Sequence, residues 1–167
     1  MVPEVRVREI EDADFELVYA LIQDTILESY SGVYPAEAIE FFQSYHSKKS
    51  IKNDAASGYT VVAESHGRLV GTGTLSGTNV RRVFVSPIQQ HRGIGKVIEG
   101  ELERKAASQK LPSLDLDSSL VSGRFWESMG FTKQKDDFIP IRNGKRLLYC
   151  RMAKSLRGSS SSGGEGR

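Results

Sequence analysis

One short stretch, Gln90-His91-Arg92-Gly93-Ile94-Gly95-Lys96, limits what this chain can fold into more than any other. Before it runs a β-branched and aromatic segment, Val80 to Val85, closed by Ser86-Pro87. After it a helical pattern extends from near Ile94 to about Ser108. A strand, a loop bearing Gly-x-Gly and a helix start form an anion-binding device. The first amides of a helix lack internal partners, and the helix dipole adds partial positive charge beside them. Gly93 and Gly95 let the main chain approach a phosphate with no side chain in the way.

The flanking elements follow from periodicity and turn chemistry. Val5 to Ile10 alternates as a half-buried strand, and Asp12 is placed to cap a helix carrying Phe15, Val18, Ile22 and Ile26 on one face. A break is expected from Ser29 to Tyr34, with Pro35 opening a second helix that presents Ile39, Phe42 and Tyr45. Tyr59 to Glu64 and Leu69 to Leu75 read as strands joined at His66-Gly67. Gly71 and Gly73 mark a bulge or a close backbone approach in the second of these. In the helix after the glycine loop, Ile94, Ile98 and Leu102 face inward, and Glu101 and Lys105 can pair. Leu114 to Asp117 is a short strand, and Ser119 then caps a helix with Val121, Phe125 and Met129 on one face. Gly130 ends that helix with a left-handed cap supported by Phe131. A final hairpin, Phe131 to Ile141 and Arg146 to Met152, turns at Asn143-Gly144. The expectation is an α/β (mixed α+β) domain over 1–156, a single twisted mixed sheet of about seven strands flanked by about four helices. Residues 157–167 are serine- and glycine-rich and read as a disordered tail or a cloning remnant.

Composition narrows the function. A net charge of +2 over 167 residues, with both signs interspersed, leaves no broad basic face for nucleic acid or a membrane surface. Arg81-Arg82 and Lys133-Gln134-Lys135 are explained by a solvated strand face at least as well as by an anion site. The single cysteine, Cys150, sits in an apolar run as a buried structural thiol and excludes an internal disulfide. No stretch reads as a signal peptide or a membrane span, so a cytoplasmic protein is expected. No His or Cys pair has metal-ligand spacing, so no metal site is expected. His46 and His66 read as solvated, and His91 as a phosphate neighbour or an exposed loop residue.

Three segments in order resemble the Gcn5-related N-acetyltransferase (GNAT) superfamily. They are Val83-Phe84-Val85-Ser86-Pro87 leading into Gln90-x-x-Gly93-x-Gly95, then Leu114-Asp115-Leu116-Asp117-Ser118-Ser119, then Phe125-Trp126-Glu127-Ser128-Met129-Gly130-Phe131. The resemblance implies an acyl-CoA acyltransferase fold and acetyl-CoA as cosubstrate. It implies a pantetheine arm lying between the strands that end at Val85 and near Asp117. Cofactor contacts are carried over to Val83, Phe84 and Val85, to the loop residues Gln90, His91, Arg92, Gly93, Ile94, Gly95 and Lys96, and to Ser119, Phe125 and Trp126. A backbone amide near Phe84 or Val85 would polarise the thioester carbonyl. Glu28, Tyr30 and Tyr34 fall where the superfamily lines its acceptor site.

The chain departs from the family pattern in two places. Many members carry tyrosine where Trp126 stands, and an indole N–H is no general acid at neutral pH. Loss of a positioned acid slows a reaction by about 10²–10⁴-fold, and water or another hydroxyl can serve in its place. The glutamate often found on the motif strand is missing from Asn79-Val80-Arg81-Arg82, so no catalytic residue is carried over. The expected function is acetyl-CoA-dependent N-acetylation of a small-molecule or peptide amine. The alternatives are a non-catalytic acyl-CoA-binding module and an acetyltransferase acting on a protein or an aminoacyl-tRNA. An exposed edge on the final hairpin could support a homodimer.

Overall fold

The computed structural model describes residues 4–156. The predicted tail and the first three residues lie outside that range. In chain order the elements are β1 (Arg6–Glu9), α1 (Phe15–Thr25), α2 (Ala36–Tyr45), α3 (Lys48–Ser57), β2 (Tyr59–Ser65), β3 (Arg68–Ser76), β4 (Asn79–Val85), α4 (Ile94–Ser108), β5 (Ser113–Ser119), α5 (Gly123–Ser128), β6 (Thr132–Pro140) and β7 (Arg146–Ser155). The seven strands form one sheet in the order β1-β2-β3-β4-β5-β7-β6. All neighbours are antiparallel except β4 and β5, which α4 connects as a crossover. The mixed sheet agrees with the sequence-based expectation.

The sheet has an apolar cluster on each face. On one, Ile94, Ile98, Leu102 and Ala106 of α4, with Trp126 and Phe131, cover Val61, Val80, Leu114 and Met152. On the other, Val18, Ile22 and Ile26 join Ala38, Ile39 and Ile51 over Val62, Phe84 and Leu147. The two glycines of β3 allow α4 to lie close. A Cβ on Gly71 would stand 2.7 Å from Ile98 Cδ1, and one on Gly73 would stand 2.6 Å from Ile98 Cγ2.

Several local expectations are corrected. Glu11, not Asp12, precedes a 3-10 turn, and Asp14 accepts the Glu11 N–H at 2.8 Å. Asp14 also pairs with Arg8, which holds its carboxyl below the usual range. The first helix does not break at Ser29, because a π-helical turn carries it from Ile26 to Tyr30. α3 was not anticipated, since only Ile51 among its residues is a buried apolar side chain; its signal is Ser47, whose hydroxyl accepts the Ser50 N–H. Ser119 is the last residue of β5, not a helix cap, and the buried side chain of α5 is Trp126 while Val121 is exposed. Glu101 pairs with Arg104 and accepts from the Tyr59 hydroxyl, leaving Lys105 over the Tyr59 ring. Cys150 is half-buried rather than fully enclosed. The left-handed cap at Gly130 (φ 91°) and the final hairpin are present, with Asn143 and Gly144 both at positive φ.

Among the described residues no helix is long and apolar enough to cross a membrane. Gly73→Ala is expected to destabilise the fold by about 1–3 kcal/mol through overpacking against Ile98 and Leu102. Urea denaturation checks this, and in an Ile98→Ala background part of the loss should disappear.

Candidate active site

The site begins where β4 and β5 part. They are paired at a single position, Asn79 opposite Asp115, and diverge beyond it. The Asp115 carboxylate marks the point of parting, accepting from Thr78 Oγ1 at 2.6 Å and Asn79 Nδ2 at 2.8 Å. From Arg81 to Val85 the β5 side of β4 has no strand partner, so its main-chain polar groups are available to a ligand.

A bulge then changes what β4 presents. Thr72 pairs with Phe84 and Thr74 with Arg81, so two steps along β3 match three along β4. Arg82 absorbs the extra residue at φ 53°. An inserted residue inverts the side-chain alternation. Val80 accordingly packs against α4, whereas Phe84 packs on the opposite face with α1 and α2.

Between the end of β4 and the start of α4 lies a groove of about 630 Å³. Val83, Phe84, Val85, Gln90, His91, Gly93, Ile94, Gly95, Lys96 and Phe125 line it, together with Thr25, Ser29 and Tyr30 from the first helix. Gly93 adopts φ 83°, which turns the loop into the helix. The first helical hydrogen bond runs from Val97 N–H to Gly93 O at 3.2 Å. Among the described residues, no main-chain amide from His91 to Lys96 has a loop or cap acceptor. The Gln90 side chain ties the loop to the strand end by donating to Val85 O at 3.0 Å. Arg92 stands outside the groove wall, exposed, with its guanidinium on Gln89 Oε1 at 3.4 Å. These unpartnered amides fit an anionic group.

A second cavity, of about 190 Å³, opens on the opposite side of the strand end. Its walls include Tyr30, Phe42, Tyr45, His46, Arg82, Phe84, Ser119, Ser122, Trp126 and Tyr149. Tyr30, Val83, Phe84 and Ser122 line both spaces, so the two meet there. Burial raises the Tyr30 phenol pKa, with neighbouring Ser119 offsetting part of the rise. Ser119 and Trp126 thus belong to the second cavity, and Phe125 to the groove.

The remaining sequence-based candidates fall elsewhere. Tyr34 is buried and locked, donating to Leu148 O at 2.7 Å and accepting the Leu120 N–H at 2.8 Å. Glu28 is exposed and lines neither space. Two residues read as solvated are instead interior: Arg82 is 7 % exposed and His46 8 %. The Arg82 Nε donates to His46 Nδ1 at 3.2 Å, and its Nη1 pairs with Asp54 of α3. Arg81 reaches the same Asp54 oxygen at 3.3 Å. No local sequence signal marks this burial, because it depends on the bulge and on α3. Among the described residues no cluster of His, Cys, Asp or Glu could hold a metal ion.

The chain belongs to the GNAT acetyltransferase family: the model of the acetyltransferase (GNAT) domain matches residues 30–156. It thus carries a GNAT N-acetyltransferase domain, and members of this family use acetyl-CoA. Solved structures share the fold at low identity. A GCN5-related N-acetyltransferase from Rhodopseudomonas palustris superposes with a TM-score of 0.85 at 23% identity, covering 93% of this chain and 99% of that one. The PaiA N-acetyltransferase of Thermoplasma acidophilum, solved in complex with coenzyme A, gives 0.77 at 19%, covering 91% and 99%. A ribosomal-protein-alanine N-acetyltransferase from Brucella melitensis gives 0.67 at 19%, covering 90% and 99%. Among curated proteins no significant relative was found.

Burial, with the Arg82 guanidinium second, pushes the His46 imidazole down to about 3. An unfolded histidine takes up a proton near pH ~6.5, whereas folded His46 refuses it. Stability carried by the neutral ring is thus fully present above that pH and is lost as the pH falls through the folded value. By about pH 5 the expected loss is about 2 kcal/mol. His46→Asn, whose side-chain oxygen can still accept from Arg82, should flatten this limb in urea titrations at several pH values.

Proposed function

We propose that this chain is an acetyl-CoA-dependent N-acetyltransferase that acetylates a primary amine of a small molecule or peptide. The observation that carries the reading is the meeting of the two cavities at Tyr30, Val83, Phe84 and Ser122, beside the unpartnered edge of β4. Acetyl-CoA supplies an activated thioester whose acetyl group passes directly to the amine. In that exchange a C–N bond forms, the C–S bond breaks, the amine gives up a proton and the thiolate receives one.

The free amides from His91 to Lys96, with the Lys96 ammonium, suit a pyrophosphate. The open edge of β4 suits a pantetheine amide chain pairing as an added strand, and an amide near Phe84 or Val85 is placed to stabilise an oxyanion. Tyr30 is the hydroxyl best placed to protonate the thiolate, because it faces both cavities and has Ser119 beside it. Trp126, standing where many family members have tyrosine, favours a second reading, a non-catalytic acyl-CoA-binding module. We place the protein in the cytoplasm, in keeping with its single half-buried thiol.

A thermal melt with acetyl-CoA at about a hundred times Kd should raise Tm by roughly 5–10 °C. Lys96→Glu, an exposed change, should weaken binding about tenfold or more while leaving the unliganded Tm in place. CoA release that depends on an added amine supports the transferase; binding without release under any amine supports the module. For Trp126→Tyr, single-turnover kinetics should show a faster chemical step, by about tenfold or more. An unchanged rate would mean that this position does not limit the chemistry.

A further inference from the structure

The acceptor cavity carries an electrostatic signature of its own. Arg81 and Arg82 both line it and share one carboxylate, Asp54. Arg82 uses Nε on His46 and Nη1 on Asp54. Its Nη2 has no protein partner among the described residues, is not fully enclosed, and belongs to a side chain that lines the cavity. Accepting at Nδ1 fixes the neutral His46 ring as the tautomer with its proton on Nε2, a second donor with no protein partner on the same wall.

Nothing around these donors supplies a matching free anion. Asp117 is the one carboxylate lining the cavity; it is half-exposed and faces Arg151 at 3.7 Å. Asp115 is engaged by Thr78 and Asn79. The remaining walls are mostly aromatic and aliphatic, with the Tyr45 ring 5.8 Å from the Arg82 guanidinium carbon and Tyr30 packed edge-on to Phe42 at 5.0 Å. A buried guanidinium with an open N–H edge is costly unless something fills it. A polycationic amine would meet repulsion there.

Resting on the transferase reading above, we propose that the acceptor is an amine that also carries a carboxylate, held by Arg82 Nη2 and His46 Nε2, with an apolar body against Tyr30, Phe42 and Phe84. Arg82 is then a specificity residue, and its left-handed backbone is the strain that turns the guanidinium into the cavity.

Matched probes test this without altering the protein. L-phenylalanine and glycyl-L-phenylalanine are compared with their C-terminal amides, and spermidine serves as the polycation, in acetyl-CoA turnover. Calorimetry with CoA present compares 3-phenylpropionate and 3-phenylpropionamide as non-reacting ligands. The acids should exceed the amides by about 10–100-fold in kcat/KM and in affinity, with the kinetic difference in KM. Arg82→Lys, which keeps the charge next to Asp54, and Arg82→Gln should both collapse that ratio. Acid-selective binding without turnover of any amine would support the carboxylate site while overturning the transferase reading. Acids and amides equal in both assays, or spermidine preferred, would overturn the proposal.

Discussion

The Asp115 carboxylate ties β4 to β5 at their one paired position, and the geometry of the site is laid out from that point. Two parallel strands that stayed paired would close the sheet and leave no edge for a ligand. Asp115 instead binds Thr78 and Asn79 at the last point of contact. The Asn79 side-chain oxygen then accepts from Arg81 Nε at 2.8 Å, and Arg81 reaches Asp54, which also holds Arg82. Arg82 ends the chain of contacts at His46. A single polar network therefore runs from the point of parting to the wall of the second cavity. Its members polarise one another in a partly dry environment, so the loss of one partner costs more than a lone surface pair would.

How much of this was legible in the sequence depended on how local the cause was. The glycine loop, the Gly130 cap with Phe131 behind it, and the Asn143-Gly144 turn each carry their reason within a few residues, and each is found in place. Gly71 and Gly73 announce a bulge or a close backbone approach without naming its partner, which the structure shows to be α4. The second cavity was hidden for the opposite reason. Strict alternation says nothing of a bulge whose partner lies across the sheet, so the burial of Arg82 is not legible locally, and His46 at the end of α2 is buried only by the elements that pack on it. Short α3, with a mostly polar surface, gave no periodic signal, yet it supplies Asp54. Tyr34, expected beside an acceptor site, lines neither cavity, and its hydroxyl fastens Leu120 to Leu148.

The two sides of the site also differ in what makes them. The groove is bordered by the free amides of the glycine loop and the open edge of β4. The second cavity is lined by side chains from α2, β4, β5, α5, β6 and β7 that are far apart in the chain. The family is therefore carried by contiguous motifs, whereas this cavity depends on how distant elements meet.

Trp126 has a consequence of an optical kind. It is the only tryptophan in the chain, 6 % exposed, edge-on to Phe125 at 4.8 Å and to Phe131 at 5.3 Å, and it forms part of the second cavity's wall. Indole emission shifts with the polarity and hydrogen bonding of its surroundings, and the other aromatic side chains are phenylalanines and weakly emitting tyrosines. Whatever enters the cavity changes the surroundings of the single strong fluorophore, so the protein carries its own spectroscopic reporter of that cavity's occupancy.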